Sequence, residues 1–258
     1  MTLLWMSALG LALVCVLGWL VQLRTRNAGH ADVIWAWGLA AAGLLYLVSG
    51  DGALWPRLAA GILVLVWGVR LGAHVLQRVV TEPEDGRYRA MRDRLGDRAN
   101  AFFLLFFLLQ GLLAWLFALP HWVISGHPGD AGALWPSVGL VVGLVALAGE
   151  ALADRQLSRW RSDPDNRGKT CRKGLWRYSR HPNYFFEWLH WFSYPLIAVG
   201  APGAAWLWLA PAAMFLFLWF ITGIPYTEQQ ALKSRGEDYR RYQQTTSAFF
   251  PWRPGNDD

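Results

Sequence analysis

Residues 101–119 read AFFLLFFLLQGLLAWLFAL, a stretch in which Gln110 is the single polar side chain. A helix needs roughly 20 mostly apolar residues to cross a bilayer, so this stretch predicts a membrane-spanning helix. Similar apolar runs lie on both sides of it, and together they predict an all-α polytopic membrane protein with seven transmembrane helices. The predicted spans cover residues 3–23, 33–50, 57–79, 101–119, 134–155, 184–200 and 204–224.

The composition supports a membrane protein and excludes several other classes. Apolar residues make up 54% of the chain and charged residues 16%, whereas a soluble chain carries about 25% charge. This balance excludes a disordered chain and a coiled coil. The two cysteines form no CxxC pair, which argues against a disulfide scaffold, a zinc ribbon or an iron–sulfur site.

The positive charges lie in alternate connections between the apolar runs. Arginine and lysine cluster around residues 24–26, 78–98, 155–180 and 233–253, whereas the connections around 120–133 and 200–203 carry none. The positive-inside rule therefore predicts an outside amino terminus and a cytoplasmic carboxyl tail. The net charge of +6 is explained by this topology, so we expect no nucleic-acid partner.

The cytoplasmic connections are predicted to contain polar or amphipathic helices. Residues 81–100 are rich in arginine, residues 156–183 are basic and rich in turns, and residues 226–243 fit an amphipathic helix interrupted at Gly236. We expect residues 225–258 to pack on the same membrane domain, so that 1–258 forms a single domain.

Several predicted spans carry polar side chains at helical spacing. Ionisable groups in a membrane are costly and usually face a bundle interior or a cavity. We expect at least three of these groups to line one polar cavity that opens to the cytoplasm. Two other polar residues fit structural roles, Asp32 as a helix cap and Gln110 as an interhelical hydrogen bond. The spaced pairs are Arg70 with His74, Glu150 with Asp154, and Glu187 with His190.

The sequence disfavours the common metal and nucleotide sites. Glu187 and His190 give the ExxH spacing of di-iron bundles, but those bundles need it on two helices and it occurs here once. The GxGxxG, GxxxxGK[ST] and GxSxG motifs are absent, so a Rossmann domain, a P-loop and a nucleophile elbow are not expected. We predict no bound metal.

The segment Gly174–Glu187, GLWRYSRHPNYFFE, and the tail 237–252, EDYRRYQQTTSAFFPW, are the most specific parts of the sequence. With them the chain resembles the steroid 5-alpha reductase-like superfamily, which includes sterol C14 reductases and isoprenylcysteine carboxyl methyltransferases. It is most similar to a bacterial, largely uncharacterised branch of reductase-like membrane proteins. A second signature of that branch, EDxRYxxxR, is matched by Glu84, Asp85, Arg87, Tyr88 and Arg92.

The resemblance implies an NADPH-dependent reductase that transfers a hydride to an activated C=C bond, such as an enone, of a steroid-like or isoprenoid substrate from the bilayer. Without a Rossmann helix, the phosphates of NADPH need arginine and lysine side chains, and the 156–180 connection supplies them. The residues implied to bind the cofactor are Asp154, Arg161, Lys169, Arg172, Trp176, Tyr178, Arg180, His181, Asn183, Glu187 and Tyr239.

The proton donor is where this sequence departs from the steroid enzymes. They place a Gln-Glu pair in an early span and a tyrosine in a later one against the ketone, and no Gln-Glu pair is found here. His74 and Tyr88 are the candidate catalytic residues, because an imidazole or a phenol can act as a general acid.

Two other functions remain open from the sequence. The resemblance also fits a methyltransferase that uses S-adenosylmethionine on a lipid, although the basic 156–180 connection favours a more highly charged cofactor. A non-enzymatic lipid-binding bundle or transporter is the third hypothesis. In each case we expect the protein to contact membrane lipids. For the enzyme we expect a location in a bacterial inner membrane, with the active site open to the cytoplasm. The oligomeric state is left open.

Overall fold

The computed structural model describes residues 2–221 and 223–255. Those residues form helices and connecting turns, with no β-strand among them, as the apolar runs predict. The structure divides into two compact units. The first contains Met1–Ala133 and Gly200–Pro202, and the second contains Leu134–Val199 and Gly203–Asp258.

The first unit is built from five helices, of which α1, α2, α3 and α5 are long and apolar. Its fourth helix, α4, is short and carries arginine, and a single 3-10 turn joins it to α5. The helices are α1 (Thr2–Thr25), α2 (His30–Ser49), α3 (Leu54–Thr81), α4 (Gly86–Leu95) and α5 (Ala99–Ser125).

Glycines let the helices of the first unit approach closely. A Cβ at Gly68 of α3 would lie 2.4 Å from the Ala40 side chain of α2, and one at Gly111 of α5 would lie 2.6 Å from the Cys15 sulfur of α1. Small residues at helix contacts are typical of membrane bundles. Gly68 and Gly72 are four residues apart in the sequence, a spacing that predicts a packing surface, and the contact at Gly68 confirms it.

The second unit contains one long helix and several short ones. Helix α6 (Leu134–Ser162) is followed by a turn-rich connection, α7 (Pro182–His190) and α8 (Ser193–Ile197). Helix α9 (Leu209–Leu216) leads through a π-helical turn, Phe217–Ile221, toward the carboxyl-terminal helices. These are α10 (Ile224–Arg235) and α11 (Glu237–Thr245), separated by Gly236 with a φ of +54°.

Six helical stretches of the described residues are long and apolar enough to cross a membrane, which indicates an integral membrane protein. Large apolar side chains exposed on α1, such as Leu9 and Leu13, fit contact with lipid. The predicted count of seven spans and the predicted orientation stay predictions. The six stretches are α1, α2, α3, Gly86–Ser125, α6 and Ala204–Arg235.

The predicted sixth span, 184–200, is not one continuous helix. It forms α7 and α8, which are each shorter than a membrane crossing and are separated at Trp191 and Phe192. Pro195 lacks the amide N–H that would bond to the carbonyl of residue 191 in a continuous helix. The Ser193 hydroxyl also donates to the carbonyl of His190 at 2.6 Å, a local bond that competes with the helical pattern.

Candidate functional site

In the second unit, polar side chains converge on the carboxylate of Glu228 in α10. Its Oε1 accepts hydrogen bonds from Arg180 Nε at 2.7 Å and from His181 Nε2 at 3.3 Å. Its Oε2 accepts one from Gln243 at 2.7 Å, and the Tyr239 hydroxyl approaches Oε1 at 3.5 Å. We call these five residues the Glu228 cluster. It brings three predicted cofactor residues, Arg180, His181 and Tyr239, onto one acid that the sequence did not single out as a site residue.

The Arg180 guanidinium is used within the protein. Besides Glu228, it donates from NH1 to the carbonyls of Gln243 at 3.0 Å and Thr246 at 2.6 Å. Charge-assisted bonds of this kind are strong and directional. Arg180 therefore fastens the carboxyl-terminal helices to the RHP segment, and it is not a freely available phosphate ligand.

Asp238 in α11 fastens the basic connection to the tail in the same way. Its carboxylate accepts from the Thr170 amide at 2.7 Å and from Arg172 at 3.1 Å. Burial raises the pKa of Asp238, but the bonds to Thr170 and the charge of Arg172 outweigh burial, so the pKa lies below its ordinary value. Arg172, a predicted cofactor residue, thus has a structural partner.

Trp176 is a core residue and not an exposed stacking surface. It is buried, and its indole donates to the carbonyl of Ala153 in α6 at 2.9 Å. The Tyr242 hydroxyl donates to the carbonyls of Trp176 and Ser179. Burial raises the pKa of Tyr242 well above its usual value, so its hydroxyl stays protonated and keeps donating. The tail is thereby bonded to the connection that precedes α7.

Asp154 and Asn183 meet between α6 and α7. The Asn183 side-chain amide donates from Nδ2 to Asp154 Oδ1 at 3.2 Å. A carboxylate only accepts hydrogen bonds, so this contact fixes the nitrogen toward Asp154 and turns the amide oxygen away. Asn183 Oδ1 is buried and has no hydrogen-bond partner among the described residues. Two residues predicted to bind the cofactor therefore lie together and leave one buried acceptor available.

Glu187 lies one turn further along α7 and is also buried. Its Oε1 accepts from the Trp191 indole at 3.0 Å. His190, which follows at the predicted ExxH spacing, bonds to the Tyr194 hydroxyl at 3.0 Å. Within the described ranges, no three His, Cys, Asp or Glu side chains could hold a metal ion together, and the absence of a metal stays a prediction.

The remaining predicted cofactor residues are exposed. Arg161 at the end of α6, Lys169 in the basic connection and Tyr178 after it all present their side chains at the surface. They are positioned where a ligand could reach them, in contrast to Arg172, Trp176 and Arg180.

In the first unit, the candidate acid Tyr88 is held by Asp32. The Tyr88 hydroxyl donates to Asp32 Oδ1 at 2.7 Å, and Gln110 donates to the same oxygen at 3.3 Å. The Tyr88 ring is buried against Phe103 and Phe106. Asp32 lies in the first turn of α2 and is not its N-cap residue, so the predicted role as a helix cap is wrong. Gln110 makes the interhelical hydrogen bond that the sequence predicted.

The rest of the EDxRYxxxR signature fixes α4 to the beginning of α2. Glu84 accepts two bonds from Arg92, at 2.8 and 3.2 Å, and a third from the Ala28 amide at 2.8 Å. Arg92 also donates to Gln22 of α1 at 3.2 Å. The signature is therefore a set of contacts that hold three helices together, which its spacing alone did not reveal.

His74, the other candidate acid, is exposed on α3, and its imidazole has no hydrogen-bond partner among the described residues. The predicted cavity shared by the spaced polar pairs stays a prediction.

Sequence reasoning missed Glu228, Asp238 and Ser179 as contact residues. Ser179, buried within the RYSRHP segment, donates to the carbonyl of Phe249 at 2.8 Å. A signal for these residues was present, since an acid on a tail helix opposite an arginine-rich connection predicts an ion pair. The sequence could not say which acid meets which arginine.

A family model described as "Protein of unknown function (DUF1295)" matches residues 18–246. An uncharacterised protein of Schizosaccharomyces pombe is 26% identical over 94% of this chain and 78% of its own length. No solved structure matches the chain.

Proposed function

The chain belongs to the DUF1295 family of proteins of unknown function, and from that premise we propose that it is a membrane-embedded, NADPH-dependent reductase of the steroid 5-alpha reductase-like superfamily. Its substrate is a lipophilic compound with an activated C=C bond, such as a steroid-like or isoprenoid enone. NADPH supplies the hydride when it is bound.

The observation that carries this proposal is the buried oxygen of Asn183. Burying an amide oxygen without a partner costs about 1–3 kcal/mol, so the position favours a ligand that donates a hydrogen bond. The nicotinamide carboxamide is such a donor. Asp154 keeps the Asn183 nitrogen engaged, which leaves the oxygen to accept from the ligand.

The neighbouring residues fit the other parts of the same cofactor. Glu187 lies on α7 one turn after Asn183 and is a second buried acceptor that orients a donor group. Arg161 and Lys169 are exposed cations that can take phosphate oxygens. Arg172, Arg180 and His181 act as positioning residues, because they bond the tail helices to the connection that carries Lys169. Tyr239 of α11 positions the two tail helices against each other through its contact with α10.

The proton that completes the reduction comes, in this proposal, from His74. Its imidazole is exposed and has no partner among the described residues, whereas the Tyr88 proton is directed at Asp32. Tyr88 is assigned the structural role of holding α4 on α2.

His74→Gln should abolish turnover of an enone without changing the melting temperature. Tyr88→Phe should lower the melting temperature and retain turnover, and the reverse pattern would exchange the two roles.

Direct binding measurements test the cofactor. We expect isothermal titration of the detergent-solubilised protein to show NADPH binding and no binding of S-adenosylmethionine. Asn183→Leu should weaken NADPH and NADH alike, by about tenfold for one lost hydrogen bond, because the carboxamide is common to both. Asn100→Leu, at an exposed asparagine of the first unit, is the matched control. Binding of S-adenosylmethionine in place of either nicotinamide cofactor would favour a methyltransferase.

A further inference from the structure

The carboxyl-terminal segment runs beside the residues that precede α7. The Arg180 amide donates to the carbonyl of Ser247 at 2.8 Å, and the Trp252 amide donates to the carbonyl of Tyr178 at 2.9 Å. These two bonds hold the aromatic residues 178 and 252 next to each other. A cavity of about 660 Å³ lies there, lined by Arg177, Tyr178 and residues 251–255.

The lining of this cavity combines aromatic rings with positive charge. Tyr178 is 44% exposed and Trp252 is 74% exposed, so both keep ring surface available for a ligand. Arg177 and Arg253 contribute two guanidinium groups, and no described residue forms an ion pair or hydrogen bond with either. Among the residues that the structure describes, no carboxylate lines the cavity. A flat aromatic ligand that carries a phosphate fits this combination.

We propose that this cavity binds the adenosine 2′-phosphate end of NADPH, with the adenine stacked on Trp252 and Tyr178 and the 2′-phosphate held by Arg177 and Arg253. Aromatic side chains stack on nucleobases, and arginine forks match phosphate oxygens. This inference rests on the proposed function and deepens it, because it names the residues that distinguish NADPH from NADH.

A second cavity connects this site with the predicted cofactor residues. It has a volume of about 570 Å³, shares Trp252 and Arg253 with the first cavity, and extends along residues 243–248 to Arg180. Arg180 lies three positions before Asn183. The two cavities therefore lie side by side along the tail.

Exposed tryptophan and arginine side chains also occur where membrane proteins meet lipid headgroups. An anionic headgroup shares the phosphate chemistry of the 2′-phosphate, but it has no aromatic base to stack on the two rings. Binding of an adenine nucleotide and binding of an anionic lipid can therefore be separated by experiment.

The test uses the full chain in detergent and adenosine 2′,5′-bisphosphate as the probe, with dissociation constants measured by isothermal titration. Trp252→Leu should weaken this probe, NADPH and NADH by about tenfold through lost stacking. Arg253→Gln and Arg177→Gln should each weaken the probe and NADPH by about tenfold and NADH by less than twofold. Trp206→Leu and Arg240→Gln, at exposed sites of the same unit, should change nothing.

The outcomes distinguish a failure of the adenosine site from a failure of the proposed function. If wild-type protein binds NADPH and the three variants bind it equally well, the adenosine site is overturned and the proposed function stands. If wild-type protein binds neither nicotinamide cofactor nor the probe, both are overturned. Unchanged nucleotide binding with reduced association of the variants with vesicles containing anionic phospholipid would assign the patch to lipid instead.

Discussion

At the scale of single residues, the arginines of one connection divide into two groups with different tasks. Arg172 and Arg180 have their charges matched by Asp238 and Glu228. Arg177 extends from the same part of the chain with an exposed side chain. A bonded guanidinium holds a helix in place, whereas an exposed one can exchange water for a phosphate at little cost. In our proposal, the basic connection therefore combines structural cations with cations that bind the cofactor.

Arg161 and Lys169 give a prediction at this scale. If the 2′-phosphate lies on Arg177 and Arg253, Arg161 and Lys169 are left for the pyrophosphate, which NADPH and NADH share. Arg161→Ala and Lys169→Ala should then weaken both cofactors by a similar factor of about ten, as expected for one charge-assisted hydrogen bond. Titration of both cofactors checks this. Selective loss of NADPH would move the 2′-phosphate to these residues.

His181 predicts a pH dependence of stability. Burial lowers its pKa below 6.5, although the hydrogen bond to Glu228 partly opposes this, and the charge of Arg180 also lowers it. The unfolded chain then binds the proton more readily than the folded one, so stability is full above about pH 6.5 and falls as the pH drops through the folded-state pKa.

The expected loss of folding free energy in that window is at most about 1.4 kcal/mol per pH unit, followed as melting temperature between pH 7.5 and pH 5. His181→Gln should flatten the profile, and His74→Gln, at an exposed imidazole, should leave the slope unchanged. A wild-type melting temperature that stays constant over this range would contradict the assignment.

At the scale of elements, the contact between α6 and α8 depends on Gly139. A Cβ at this position would lie 2.6 Å from both the Ser193 carbonyl oxygen and the Ile197 side chain. A backbone carbonyl cannot rotate away as a side chain can, so the helices would have to separate. Gly139 and Gly143 are four residues apart in the sequence, a spacing that predicts a packing surface, and the structure identifies α8 as the partner.

Gly139→Ala should therefore destabilise the protein by about 1–3 kcal/mol, the usual cost of overpacking. Gly10→Ala in α1 is the control, because nothing lies within 4 Å of its Cβ position and alanine is the better helix former by up to about 1 kcal/mol. Melting temperatures of both variants in detergent check the prediction. Equal melting temperatures would show that α8 moves to accommodate the methyl group.

At the scale of the whole molecule, the distribution of arginine and lysine predicts the orientation in the membrane. The six long apolar helical stretches satisfy the length needed to span a bilayer. The positive-inside rule predicts that the arginine-rich connections lie in the cytoplasm. Residues 200–203 lie outside if α7 and α8 together make a seventh crossing, and in the cytoplasm if they do not.

Cysteine labelling in intact cells tests this orientation, in a background that lacks Cys15 and Cys171. A membrane-impermeant maleimide should react from outside with Asp51→Cys and Asp130→Cys. It should reach Asp93→Cys and Lys233→Cys only after permeabilisation. Labelling of Pro202→Cys from outside would support seven spans, and labelling only after permeabilisation would contradict them.

The sequence by itself determined that the chain is helical and membrane-embedded, and where small residues pack. It also placed both ends of the first three long helices to within three residues. These properties depend on the length of apolar runs and on spacing along one helix, so they are local and can be read directly. The break of the predicted sixth span at Trp191 and Phe192 lies within an apolar run, and Pro195 is the sequence feature that accompanies it.

Only the tertiary structure decided which polar residues serve the fold and which are left for a ligand. Arg180 and Glu228, or Tyr88 and Asp32, are separated by about fifty positions in the chain, and no local pattern pairs them. A buried charge or amide must find a partner to offset its desolvation, and the partner is chosen by the packing of whole helices. The same packing leaves Asn183 Oδ1 as a buried acceptor that has no hydrogen-bond partner among the described residues.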